Sequence, residues 1–482
     1  MKFSLAFLFL SFVVHTHAQF EIIWNDPITV AMEMYDNNRP RIAILNENQP
    51  IVIWGSNNGG KLYTSIWNGE DFDTPQQVNP EGTQIFTADW AGPELATYAD
   101  KAYVVYKLSP EDDFGTYISS LDLLNETWSD SIRVDDANAM QESRFPNISI
   151  DENGNVSVIY MKFEGNFLEP RYEVAKADND LLFGASVNAS AIINGEACDC
   201  CPAYLISGGS NQALLFRNND DNIRTIWAAL SEDEGQTFPN SLEIDSSEEI
   251  SAVCVSSGPH AVSSNGSVLA TWRSEISDQT RVLYTKFDFE NPELQTMQYA
   301  DISVAPNIRQ NYPRIAQSDN FAALVWQQTL ITNDEIVISI SDAENPLFAL
   351  MKDTVNVELA GKQINPDIAV SGDVIHVVFQ DVPTGTVQYR SGLVQQTTEL
   401  QSSIENPIVS ISPNPYFESI NIHIPNQGLH RYEILSLRGE LIEYGSISGG
   451  NTNLKMPETA NGLIVVRIIS AGSSQVFKLL KH

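Results

Sequence analysis

Two sets of side chains in this sequence have the types and spacing that chemistry requires. The first is Cys198, Cys200, Cys201 and Cys254, the four cysteines of the chain. In an oxidising compartment such sulfurs close disulfides. As four soft thiolates they would instead hold a metal. The second set is scattered. Arg41, Glu94, Asn147, Ala203, His260, Arg314 and Asp367 each follow a proline, whereas Gly55, Lys107, Met161, Arg217, Arg273, Gln327 and Gln380 each follow an aromatic residue. Arg41, Arg217, Arg273 and Arg314 supply planar forks suited to a carboxylate or sulfate, and Lys107 and His260 stand at matching positions.

The elements that must gather this second set are legible as a repeat. The prolines are Pro40, Pro93, Pro146, Pro202, Pro259, Pro313 and Pro366, spaced by 53, 53, 56, 57, 54 and 53 residues. Thirteen or fourteen residues after each comes an aromatic: Trp54, Tyr106, Tyr160, Phe216, Trp272, Trp326 and Phe379. Units of roughly 50 residues built from short strands are the mark of a β-propeller, and seven units predict seven blades. Within each, period-two and β-branched runs predict four antiparallel strands. The proline opens the innermost strand and the aromatic ends the second, which puts both polar series at one mouth of the central channel. The aromatics themselves read as packing between blades.

The strand-like segment from Phe20 to Met32 is expected to complete the last blade, whose own residues run out before a fourth strand, and so to close the ring. Cys201 and Cys254 fall before the prolines of neighbouring units. A bridge from Cys254 to Cys198, Cys200 or Cys201 is therefore expected to cross a blade boundary.

Composition narrows the partners. The chain has 482 residues, with 27 Lys and Arg against 62 Asp and Glu, a formal net charge of −35. No basic stripe interrupts this, which argues against nucleic acid and anionic membranes as partners. No cofactor is expected, although Asp- and Asn-rich turns leave structural calcium open. Lys2, the apolar run Leu5 to Val14 and Thr16-His17-Ala18 read as a secretory signal peptide over residues 1–18. Beyond it no segment has the roughly 18 apolar residues of a membrane-spanning helix, and a monomer is expected.

Ser231, Asp233, Gly235, Thr237 and Phe238 form a Ser-x-Asp-x-Gly-x-Thr-Phe pattern that resembles the Asp box of the sialidase and BNR-repeat propellers. A degenerate copy spans Ser120, Asp122, Asn125, Thr127 and Trp128. The resemblance implies a turn between the third and fourth strands of a blade, away from the active face. It also implies an arginine cluster for a substrate carboxylate, with Tyr312 and Glu94 as the nucleophilic pair and Asp367 as acid/base. Arg41-Ile42 is similar to the family's Arg-Ile-Pro, with Ala43 in place of the proline. The family norm is six blades, and six remains the alternative to seven.

After a propeller domain over 19–396 and a polar linker over 397–408, residues 409–482 carry Ser412-Pro413-Asn414-Pro415, Asn461-Gly462-Leu463 and a closing Lys481. This tail resembles the C-terminal sorting domain of type IX secretion cargo. It departs from that pattern at Glu440 and Ile464. The resemblance implies type IX machinery as a partner and the surface or medium of a Gram-negative bacterium as the destination. Alternating strands over this length predict a small β-sandwich. The sequence thus points to an exported all-β propeller that binds acidic glycan, with a glycoside hydrolase or lyase and a protein-binding scaffold as the alternatives.

Overall fold

The computed structural model describes residues 19–397 and 409–481, apart from 36, 57–59, 111–114, 125–126, 136–142, 165–167, 246–255, 277–278, 293–295, 306, 437–440, 458–461 and 471–472. The signal segment, most of the linker, Asn125 and Cys254 therefore lie outside the described residues.

The described residues of 19–397 form seven antiparallel sheets of four or five strands. Their first strands are Asn37–Leu45, Glu94–Tyr98, Ser143–Ile150, Tyr204–Gly208, His260–Ser264, Arg309–Gln317 and Gln363–Ser371. Each of these lies beside the first strands of the sheets before and after it, and Gln363–Ser371 lies beside Asn37–Leu45, so the sheets close into a β-propeller. In the last sheet the outer strand Thr386–Thr397 pairs with both Gln19–Trp24 and Ile28–Ala31. The start of the described chain thereby covers what would otherwise be an open edge.

Apolar side chains facing the neighbouring sheet bind each boundary. Trp54, Tyr106, Tyr160, Phe216, Trp272, Trp326 and Phe379 are all buried, at 3% exposure or less. A polar repeat accompanies them at the mouth end of the outermost strands. Asn79, Asp135, Ser190 and Asn356, each directly after a buried Val or Ala, accept the backbone N–H of Leu62, Thr116, Tyr172 and Ile336 respectively. Backbone amides there would otherwise be buried without partners.

One expectation about the prolines is corrected. In the first, third, sixth and seventh sheets the first strand begins three or four residues before the proline, and its register slips across it, between Asn38 and Arg41, Arg144 and Asn147, Asn311 and Arg314, and Ile364 and Asp367. The proline sits inside a bulge because it has no N–H to give the ladder.

The Asp box forms as a turn between Ile226–Ser231 and Asn240–Glu243. Ser231 Oγ accepts the Gly235 N–H at 2.9 Å, and the Asp233 carboxylate accepts the Thr237 N–H at 2.8 Å and its hydroxyl at 2.7 Å. Gly235 has φ of +78°, where a side chain would be strained.

The described residues of 410–480 form five strands in one hydrogen-bonded sheet. The long strands Ser419–Ser436 and Leu441–Lys455 pair along most of their length, and residues from both ends of the first, Ile420, Ile422, Ile424, Tyr432 and Ile434, share one core.

Candidate functional site

The bulges set the geometry of the ring's centre. The residue directly before the proline takes a positive φ at Arg39 (50°), Phe145 (53°), Tyr312 (50°) and Asn365 (54°). Such values are uncommon for residues with a Cβ, and they cluster where surrounding structure over-determines the backbone. In the fifth sheet the matching residue is Gly258, where a Cβ would stand 2.3 Å from the Pro202 carbonyl oxygen. Arg39, Tyr312 and Asn365, with Arg41, Arg314 and Glu94 from the residues after the prolines, line a small cavity.

Glu94 is the hub. Its carboxylate pairs with Arg39 Nη2, with Arg41 Nε at 3.3 Å and with Arg314 Nη2 at 3.0 Å. Burial alone would raise the Glu94 carboxyl, but Arg314, Arg39 and Arg41 outweigh it and hold it well below the usual carboxylate range. Burial, then the neighbouring Arg314 and Arg39, draws Arg41 down to about 9, still protonated at neutral pH. Arg314 moves up, because Glu94 and Asp367 overcome its burial. Three guanidiniums thus face two buried carboxylates, Glu94 and Asp367.

Several donors at this cavity remain unspent. Arg39 Nε, Asn365 Nδ2 and Ser257 Oγ are buried and have no hydrogen-bond partner among the described residues, and all three residues line the cavity. Buried polar groups in native structures are nearly always paired, so an unpaired trio around one cavity marks a place where an acceptor belongs. Trp90 and the exposed Asp89 complete the rim. Burial and then the Asp89 charge push the Tyr312 hydroxyl up.

The sequence-derived candidates divide. Arg41, Arg314, Glu94 and Tyr312 come together at the cavity. Asp367 and His260 lie on the far side of the guanidinium layer, lining the wider channel towards the opposite face. Asp367 accepts the Ile42 N–H at 2.9 Å, and burial raises its carboxyl. His260 Nδ1 accepts the Ile315 N–H at 3.2 Å, and burial first, then Arg314, keeps the ring neutral. It supplies no cationic charge.

Arg217, Arg273 and Lys107 are not among the residues lining the cavity. Arg217 is buried and donates to the carbonyls of Arg224 and Arg273 at 2.8 and 2.6 Å, tying two neighbouring sheets together. Arg273 lies 3.7 Å from Glu275, and Lys107 is buried with partners of its own. The end of a second strand is at the right face of the ring, but its side chains project between sheets and not toward the axis. Sequence reasoning missed Arg39, Asn365, Asp89 and Trp90. The signal for the first two was the residue before the proline, since the bulges at Arg39, Tyr312 and Asn365 turn that residue into the cavity, whereas Phe145 at the matching place packs in the core.

No family model matches this chain, and no curated protein matches it. Among solved structures it is similar to an α-L-arabinanase of Penicillium chrysogenum complexed with arabinobiose, at 10% identity and a TM-score of 0.44, over 77% of this chain and 98% of that one. A polysaccharide lyase of family PL25, an ulvan lyase, matches at 9% identity and a TM-score of 0.46, over 76% and 93% of the two chains. The sialidase of Trypanosoma rangeli matches at 10% identity and a TM-score of 0.42, over 92% and 84%. At this level of likeness nothing about substrate or chemistry passes to this chain.

Proposed function

We propose that the cavity at the centre of the ring binds a carboxylate or sulfate of an acidic glycan on an exported protein. The observation that carries this reading is the unpaired donors Arg39 Nε and Asn365 Nδ2 beside three guanidiniums. A further anionic acceptor would pair these donors and offset the surplus positive charge of the cluster. Arg forks favour a planar or tetrahedral oxyanion, and the half-buried Trp90 offers an apolar face for a sugar ring. Long-range repulsion from the acidic body is screened beyond about 8 Å at physiological salt, so local pairing dominates.

Arg314→Ala should abolish retention on an immobilised acidic glycan. Arg217→Ala with Arg273→Ala, off the cavity, should leave it within about twofold of wild type. Equal retention in wild type and Arg314→Ala would remove the ligand from this cavity.

A second reading, hydrolysis, is favoured by Asp89 and Tyr312 lining the same cavity as the arginines. Here the exposed Asp89 carboxyl would serve as the proton-transferring group. Glu94, ionised and shared by three guanidiniums, is a poor base and serves to organise them. Release of reducing sugar by wild type and its loss in Asp89→Asn would select this reading over simple binding.

A further inference from the structure

Two more groups at the anion cavity lack partners. The hydroxyls of Tyr204 and Tyr312, which line the cavity with the three arginines, have no hydrogen-bond partner among the described residues. Arg314, Glu94 and Arg41 act on the Tyr204 hydroxyl, and Arg39 and Arg41 on that of Tyr312, so both phenols stand at the guanidinium layer. Burial pushes both hydroxyls up, and they therefore stay protonated and donate. The Tyr204 ring rests on the neutral His260 ring, with centroids 4.1 Å apart. With Arg39 Nε, Asn365 Nδ2 and Ser257 Oγ, the two phenols make five unspent donors. Arg39, Asn365 and Ser257 are each 3% exposed or less, so water does not stand in for the missing acceptor.

The fold spreads these donors around the ring. Arg39 comes from the first sheet, Tyr204 from the fourth, Ser257 from just ahead of the fifth, and Tyr312 and Asn365 from the sixth and seventh. They make three sectors: Arg39, then Tyr204 with Ser257, then Tyr312 with Asn365. A group entering past the rim of Asp89 and Trp90 would have its bond to the sugar along the ring axis. A carboxylate held that way is planar, and its two oxygens face two opposite sides. One sector would keep buried donors with no acceptor, which is costly. A sulfate ester spreads three terminal oxygens evenly around the same bond, one for each sector. A phosphate monoester has this shape too but carries close to two charges at neutral pH, whereas three guanidiniums facing two carboxylates are balanced by one.

We propose, resting on the anion-binding reading above, that the group held in this cavity is a sulfate ester and the ligand a sulfated glycan.

The test compares the two anions on one backbone: binding of the full-length protein to dextran sulfate and to carboxymethyl-dextran of equal charge density, with plain dextran as control. At physiological salt dextran sulfate should bind about tenfold more tightly, the effect of one charge-assisted hydrogen bond. Tyr204→Phe and Tyr312→Phe each remove one hydroxyl and keep the ring. Each should narrow that ratio, whereas a merely structural change would weaken both polymers alike.

Equal or tighter binding of carboxymethyl-dextran would overturn the sulfate assignment and leave the anion site standing. Binding of neither polymer above plain dextran would overturn both. A sulfate preference that survives Arg314→Ala, or that neither phenylalanine variant narrows, arises elsewhere on the protein and would also overturn the assignment. Should the phenylalanine variants fail to fold, the wild-type ratio decides.

Discussion

Glu94 neutralises charge that three arginines would otherwise share without relief. Its side chain is 9% exposed, so little solvent screens the cluster. Removing one partner of a buried ion pair costs about 3–5 kcal/mol, because the remaining charge stays desolvated. Glu94→Gln should lower unfolding stability by that order, and an unchanged urea midpoint would refute the role of hub. The pH dependence has a definite sign. The folded carboxyl titrates below the unfolded value of about 4.3, so its stabilisation is complete above that value and is lost as pH falls through the folded one. Of the arginines around it, Arg41 and Arg314 follow prolines already marked by the repeat. Arg39 was hidden because nothing in its own spacing says that a bulge turns it inward.

At the scale of elements, the seam between the last sheet and the first contains a second buried titrating group. His376 Nδ1 lies 2.7 Å from the Tyr389 hydroxyl and Nε2 2.8 Å from the Ser371 hydroxyl, joining three strands of the seventh sheet. Tyr389 stacks on Trp67 of the first sheet at 6.1 Å. Burial lowers His376 to about 4. The unfolded chain therefore binds this proton first, and stability should fall as pH drops from about 6.5 to 4, by about 3 kcal/mol in all. This window lies above that of Glu94. His376→Asn should lose less stability than wild type between pH 7 and 5, as read from thermal melts. Parallel curves for the two proteins would show that the histidine does not titrate on unfolding in this way.

Over the whole molecule, the described residues from 409 onward form a sheet with its own core, and the sorting reading rests on this segment. If this segment routes the protein out of the cell, a chain ending at Gln401 should accumulate in the periplasm with its propeller folded. Normal arrival of the truncated protein at the surface or in the medium would count against the sorting role.

What the sequence determined by itself was the repeat. Proline spacing, β-branched runs and the aromatic series are local and periodic, so they survive being read in one dimension. They marked out the units, their inner strands, the packing aromatics, the Asp box turn and the strand Gln19–Trp24 that covers the last edge. They also placed Arg41, Glu94 and Arg314 at one mouth.

Tertiary structure alone decided which way each side chain points once there. A residue's position along its strand selects a face of the ring, but its distance from the axis depends on which strand carries it and on whether a bulge rotates it. For that reason Arg217 braces two sheets while Arg39 enters the cavity. The same reason decides the neighbours of the sulfurs: folding brings Arg224 Nη1, 26 residues away in sequence, to 3.1 Å from Cys198 Sγ.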